Sequence, residues 1–303
     1  MNASPVSPAT PKKRSRQHRF GSGVAGSDSP ELSACEAFVL LATPTVEEAI
    51  RCVDQLDSRS DPEIFHKLRV ALRRLRSLWW AYRPLLDEAD AEHWREQFKS
   101  LASAAGKTRD WDILRNLLVA YESTQRPTIS LLEFVDNRRM DALLLSCKAI
   151  EDAHVTRLLE RAVMSARSQL DSSATKPTLT EFARERVRLA DETLNKRMKR
   201  AISANKSAYV ALHEIRIAGK KLRYLLEFFS PVLDVAYKTT IERLKSAQEE
   251  LGELNDVVSS EALLREFAPQ FGHPEMIVEA IRYLNDQKKH HFDRAYKMLT
   301  SMR

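Results

Sequence analysis

Residues 66–76 read His66-Lys67-Leu68-Arg69-Val70-Ala71-Leu72-Arg73-Arg74-Leu75-Arg76. Residues 213–223 read His213-Glu214-Ile215-Arg216-Ile217-Ala218-Gly219-Lys220-Lys221-Leu222-Arg223. At an offset of 147 residues the His, the first Arg, the Ala, a basic pair, a Leu and the last Arg coincide. Wound at roughly 100° per residue, His66, Arg69, Arg73 and Arg76 fall within about 80° of one another. Leu68, Ala71, Leu72, Leu75, Leu78, Trp79 and Tyr82 take the opposite side, an apolar arc suited to a bundle core. The second copy repeats the division, with His213, Arg216, Lys220 and Arg223 in the stripe and Ile215, Ala218, Leu222, Leu225, Leu226 and Phe229 in the arc. Solvated helix faces ordinarily mix Glu with Lys to gain i,i+4 pairs. These stripes carry no carboxylate until Glu227. Each repels itself and favours an external anion.

A second repeated element lies downstream of each copy. Lys99-Ser-Leu-Ala-Ser-Ala-Ala-Gly106-Lys-Thr-Arg109-Asp110 aligns with Lys245-Ser-Ala-Gln-Glu-Glu-Leu-Gly252-Glu-Leu-Asn255-Asp256 at an offset of 146. Each Gly suits the left-handed position after a helix, and each Asp suits an N-cap that satisfies orphan amides. Each half then holds a basic helix, a partner helix, a Gly-Asx corner and another helix, a four-helix bundle in duplicate.

The rest of the chain agrees. The 7 glycines, 7% aromatic and 30% charged residues suit long solvated helices better than sheet. Helices are expected over 31–42 and 45–57, with Pro44 interrupting, then 62–83, 88–105, 110–123 and 128–170, the last with room for a break. Lys176-Pro177-Thr178 separates the halves, and further helices are expected over 179–204, 207–229, 235–251, 256–267 and 275–301. Pro84 and Pro231 close the two motif helices at comparable points. The predicted class is all-α, with residues 1–30 a disordered basic tail and 31–303 the folded domain, halves near 31–172 and 178–303. The basic knot in the tail (Lys12, Lys13, Arg14, Arg16, Arg19) reads as solvated, with an auxiliary polyanion contact or an import-like signal as alternatives.

The net charge of +6 is modest for 303 residues, so its local concentration says more than its total. Three cysteines (Cys35, Cys52, Cys147) without a CxxC argue against a disulfide framework or a structural zinc site and fit a reducing, cytoplasmic setting. Neither a membrane span nor a secretory signal is evident.

On these motifs the chain resembles the CHAD family, named for a conserved histidine and α-helical character. The signature H-x-x-R-[VI]-A-x-[RK]-[RK]-L-R occurs in both halves, with Leu251-Gly-Glu-Leu-Asn-Asp256 in the second. Ala105-Gly-Lys-Thr-Arg-Asp110 is a weaker first-half counterpart, and Leu194-Asn-Lys-Arg197-Met-Lys-Arg200 looks like the family's basic helix. The resemblance runs from about residue 36 to 300. It implies two four-helix bundles with pseudo-twofold symmetry and a basic groove between them. It also implies binding of inorganic polyphosphate, with polyphosphate granules as a destination for some members.

That ligand suits the stripes. Polyphosphate carries about one charge per internal unit and no bases to read, so a row of cations suffices: arginine forks bind phosphate oxygens bidentately and lysines act as point charges. The expected binding residues are His66, Arg69, Arg73, Arg76, His213, Arg216, Lys220 and Arg223. Arg74 and Lys221 stand at the rim as second choices, Arg197 and Arg200 line the same groove, and Arg109 is a weaker candidate. For the two histidines, anion contact and packing at a helix start are equal readings. Arginine neighbours oppose a metal role, so no metal, cofactor or catalytic residue is expected. His290-His291 reads as surface, Cys147 as core packing, and Asp110 and Asp256 as caps. The alternative partner is the RNA or DNA backbone, against which the stripes lack interleaved aromatics for stacking.

Overall fold

The computed structural model describes residues 31–56, 61–122, 129–203, 209–233 and 237–301. The tail and its basic knot lie outside these residues. Among them the chain is all-α. The helices are α1 (Ala34–Asp54), α2 (Pro62–Tyr82), α3 (Glu88–Ala104), α4 (Lys107–Glu122), α5 (Ile129–Asp152), α6 (Val155–Asp171), α7 (Leu179–Ser203), α8 (Tyr209–Phe228), α9 (Tyr237–Phe267) and α10 (Pro274–Ser301). No helix among the described residues is long and apolar enough to cross a membrane.

Packing follows the same neighbour order twice: α1 on α2, α2 on α3 and α4 on α5, then α7 on α8, α8 on α9 and α9 on α10. The motif helices α2 and α8 hold matching places in that order. Both apolar arcs are buried in full, from Leu68 to Tyr82 and from Ile215 to Phe229. Phe38 of α1 meets Trp79 and Tyr82 edge-on at 5.0 and 4.9 Å, and the Tyr82 hydroxyl donates to the Ala34 carbonyl at 2.9 Å.

Burial is not divided by halves. The larger core draws on α1, α2, α3, α6 and the second part of α5 together with α7, α8, the first part of α9 and the end of α10. The smaller one joins Trp111 and Leu114 of α4 and Leu131 of α5 to Val257 of α9 and Leu284 of α10, two helices from each half. The starts of α1 and α7 are also tied. Ser33 and Thr178 each cap their helix with the Glu three residues on. An isolated bridge joins those two caps, with Ala34 N–H on the Pro177 carbonyl at 2.9 Å and Leu179 N–H on the Leu32 carbonyl at 2.8 Å.

Three local expectations change, and the break allowed for in 128–170 finds its place. Pro44 does not divide α1, which runs through it. The carbonyl deprived of a donor belongs to exposed Leu40, and Thr43 Oγ1 donates to the Val39 carbonyl at 2.7 Å. An interior proline costs about 3 kcal/mol. The buried face on both sides of it (Phe38, Ala42, Thr45, Ala49) offsets that, with roughly 1.5–3 kcal/mol from Phe38 and smaller amounts from the rest. The segment 128–170 divides at His154, which adopts a left-handed backbone (φ 45°). Continuous α9 replaces two helices and a corner, because Leu251, Leu254 and Val257 keep its apolar face unbroken past Gly252. Neither Asp110 nor Asp256 is an N-cap: Asp110 lies in the first turn of α4 and Asp256 in mid-helix.

Candidate functional site: a cationic cleft between the motif helices

Helices α2 and α8 turn their stripes into one cleft of about 460 Å³. His66, Arg69, Arg73 and Arg76 enter from α2, and His213, Arg216 and Lys220 from α8. The floor and walls come from Lys99 and Ser103 of α3, Arg109 and Asp110 of α4, and Asn255, Asp256, Ser259 and Ser260 of α9. Seven lysine and arginine side chains and two histidines therefore face two carboxylates. An anion entering the cleft meets net positive charge.

The ion pairs are uneven. Arg69 Nη1 reaches Asp110 Oδ1 at 3.5 Å, a long contact. Gly106 makes room for it, since a Cβ there would stand 2.0 Å from Arg69 Nη1. Burial pushes the Asp110 carboxyl above its ordinary range; Arg69 opposes the shift and Asp256 adds to it. Arg73, Arg76, Arg216 and Lys220 form no ion pair among the described residues. Burial is the main force on each, and repulsion from neighbouring guanidinium groups adds to it, so all four are held below their ordinary values. The arginines stay charged regardless. For Lys220 the combined effect brings the ammonium down to about 6.

Two buried donors in the cleft, Arg216 Nε and Ser260 Oγ, have no hydrogen-bond partner among the described residues. Such groups are rare in folded proteins and cost about 1–3 kcal/mol each. They are groups a bound anion would satisfy.

The two histidines have different settings. His213 Nδ1 lies 3.1 Å from Asn255 Oδ1, which also accepts from the Tyr209 hydroxyl at 3.2 Å. With that oxygen accepting, Nδ1 carries the hydrogen. His66 has no such cradle: Arg109 occupies the position aligned with Asn255. Burial chiefly, with Arg109, Arg69 and Arg73 adding to it and Glu63 opposing, holds His66 below the ordinary imidazole range.

Five of the expected residues lie away from the cleft lining. Arg223 donates to Glu227 at 2.6 Å and to Gln248 at 2.9 Å. Arg74 shares Glu227 at 3.1 Å and stacks over Phe228, which makes an α2–α8 clamp. Lys221 sits 4.7 Å over the Trp80 ring, held down to about 8 by burial first and then by Arg95, Arg197 and Arg76. Arg197 donates to the Glu214 carbonyl at 2.8 Å, and Arg200 is exposed in the last turn of α7. Lys99, Asn255 and Tyr209 escaped the sequence reading. Tyr209, one turn before His213, was the available signal.

Away from the cleft, His291 is mostly buried rather than on the surface, 3.3 Å from Glu253. Glu250, Glu253 and His291 gather there on α9 and α10, and Arg294 pairs with both carboxylates. Cys147 is partly buried against the larger core, although Leu144 and Leu145 beside it are exposed.

The profile of the CHAD domain matches residues 45–265. The chain belongs to the CHAD family. Its fold is similar to the crystal structure of the CHAD domain from the plant Ricinus communis, with a TM-score of 0.74 and 25% identity over 95% of this chain and 98% of that one. PptA from Streptomyces chartreusis shares the fold at a TM-score of 0.63 and 17% identity, over 90% of this CHAD chain and 99% of its own. Comparison with curated protein sequences finds no match.

Proposed function

We propose that the cleft binds inorganic polyphosphate without transforming it. One observation carries this reading: among the described residues three guanidinium groups with no ion pair (Arg73, Arg76, Arg216) and the Lys220 amine share a cleft with two buried donors lacking partners. A chain of phosphates supplies the missing charge and acceptors at once, through bidentate arginine contacts. The cleft lining contains no Phe, Trp or Tyr, which favours a polymer without bases over single-stranded nucleic acid. Its carboxylates are only Asp110 and Asp256, the first engaged by Arg69 and both set among guanidinium groups. That surrounding opposes a catalytic divalent cation. The protein acts in the cytoplasm, and polyphosphate granules are the destination such binding gives it.

The test is a titration of the full chain with long polyphosphate across a salt series. Binding should weaken with a log–log slope of about −3 to −5 for four to seven contacts. Arg216→Glu should lower affinity by about a hundredfold or more with helical content intact, as expected where a charge-assisted contact of about 1.5–3 kcal/mol becomes a repulsion. Mixed RNA displacing polyphosphate on equal terms would replace this reading with a nucleic-acid one. Phosphate release on incubation with Mg2+ or Mn2+ would make the protein an enzyme.

A further inference from the structure

Lys220 stands in the middle of the second stripe, on the side of α8 that lines the cleft. Arg73 approaches it from α2, Arg216 and Arg223 from α8 itself, and Asp256 of α9 is the carboxylate whose charge reaches it. Glu227 and Gln248 hold Arg223, and Lys220 has no ion pair of its own among the described residues. Nothing in that setting secures a proton on Nζ. An amine that burial and neighbouring cations keep unprotonated is a nucleophile at neutral pH. Guanidinium groups do not compete as nucleophiles, but they grip phosphate. The cleft therefore sets one reactive amine among phosphate clamps.

We propose that Lys220 is a modification site, where its amine condenses with aldehydes that carry a phosphate group. The inference rests on the cleft being a phosphate site. The Nζ lone pair attacks the carbonyl carbon, a proton passes from nitrogen to oxygen, and water leaves as the C=N bond forms. Added borohydride then delivers hydride to that carbon and fixes the adduct as a secondary amine. Lys99, the other lysine of the cleft, is held by Glu96 at 2.9 Å and serves as an internal control.

The experiment treats the full chain with pyridoxal 5′-phosphate, reduces it with borohydride and maps the label by peptide mass. Lys220 should label about tenfold faster than Lys99 or more, since an ordinary lysine is almost wholly protonated at neutral pH. Its rate should rise with pH through a midpoint at or above about 6, the free-protein value, because the reagent's own phosphate favours the protonated amine, and it should level off well below the ordinary lysine range. Pyridoxal, which lacks the phosphate, should label Lys220 at least about tenfold more slowly, for want of the guanidinium contacts. Lys220→Arg should lose the fast label while its circular dichroism stays unchanged. Label spread over surface lysines without preference for Lys220 overturns the proposal. Equal labelling by the two aldehydes also overturns it, and takes the phosphate clamp with it. A separate titration with polyphosphate keeps the two readings apart: binding without Lys220 labelling sinks this proposal alone.

Discussion

The two faces of the cleft begin from one motif and arrive at different electrostatics. On the first face Arg69 leans on Asp110 through the gap left by Gly106, and burial first, then Arg109, holds charge away from His66. On the second, Arg216 has no ion pair among the described residues, Asn255 and Tyr209 cradle His213, and Lys220 replaces the permanently charged Arg73. The first face is partly satisfied by its own fold. The second depends more on what arrives. A repeated sequence thus fixes which side chains meet, while one or two neighbouring positions decide how strongly each wants a ligand.

The largest effect should separate the two equivalent arginines. Arg216→Ala should cost about 10- to 100-fold in polyphosphate affinity, the worth of a charge-assisted contact of about 1.5–3 kcal/mol. Arg69→Ala should cost several-fold less, because Arg69 already spends part of its charge on Asp110. Titration of both variants at one salt concentration checks this, and equal losses would erase the contrast between the faces.

Next comes pH. In the free protein Lys220 is protonated only below about 6, and a bound polyanion raises that value. Binding then takes up a proton at neutral pH, so affinity should fall as pH rises from 6 to 8. The limit is about tenfold per unit for one proton, and the dependence should flatten below about 6. Replacing Lys220 by Arg should remove the step. Stability runs the other way: the unfolded chain holds the Lys220 proton up to its ordinary range near 10.5 and the folded chain only to about 6. Folding therefore strengthens with rising pH between those values. Melting curves should show that slope in the parent and a shallower one in Lys220→Met.

Removing the internal competitor should sharpen the first face. Asp110→Asn frees Arg69 and should tighten binding several-fold in the same titration. The smallest effects concern the paired glycines. Gly252→Ala meets nothing within 4 Å in mid-helix, and should raise unfolding free energy by about 0.5–1 kcal/mol. Gly106→Ala should gain nothing in denaturant melts, because its Cβ would displace the Arg69 guanidinium.

Much of this was legible. Helical periodicity alone separated the buried arcs from the stripes, and every arc residue is buried. The losses have local causes. The cleft excludes Arg223, since Glu227, four residues on, captures it; that i,i+4 pair was in plain view. Gly106 does stand at the end of α3 as expected, but without a left-handed backbone, and it also admits a side chain from α2, a tertiary approach that no local pattern encodes. The persistence of α1 through Pro44 likewise depends on burial along the whole helix. Lys99 belongs to neither stripe, and only the packing of α3 on α2 brings it to the rim.

The shared cores bear on how such a chain comes to be made. Because one apolar face of α4 and α5 (Trp111, Leu114, Leu131) is covered by α9 and α10, a ribosome that has released the first half has released an unfinished object, with apolar surface still waiting. The molecule is less like two beads on a string than two hands clasped, and a cut at the Lys176-Pro177-Thr178 hinge would leave neither hand able to make a fist.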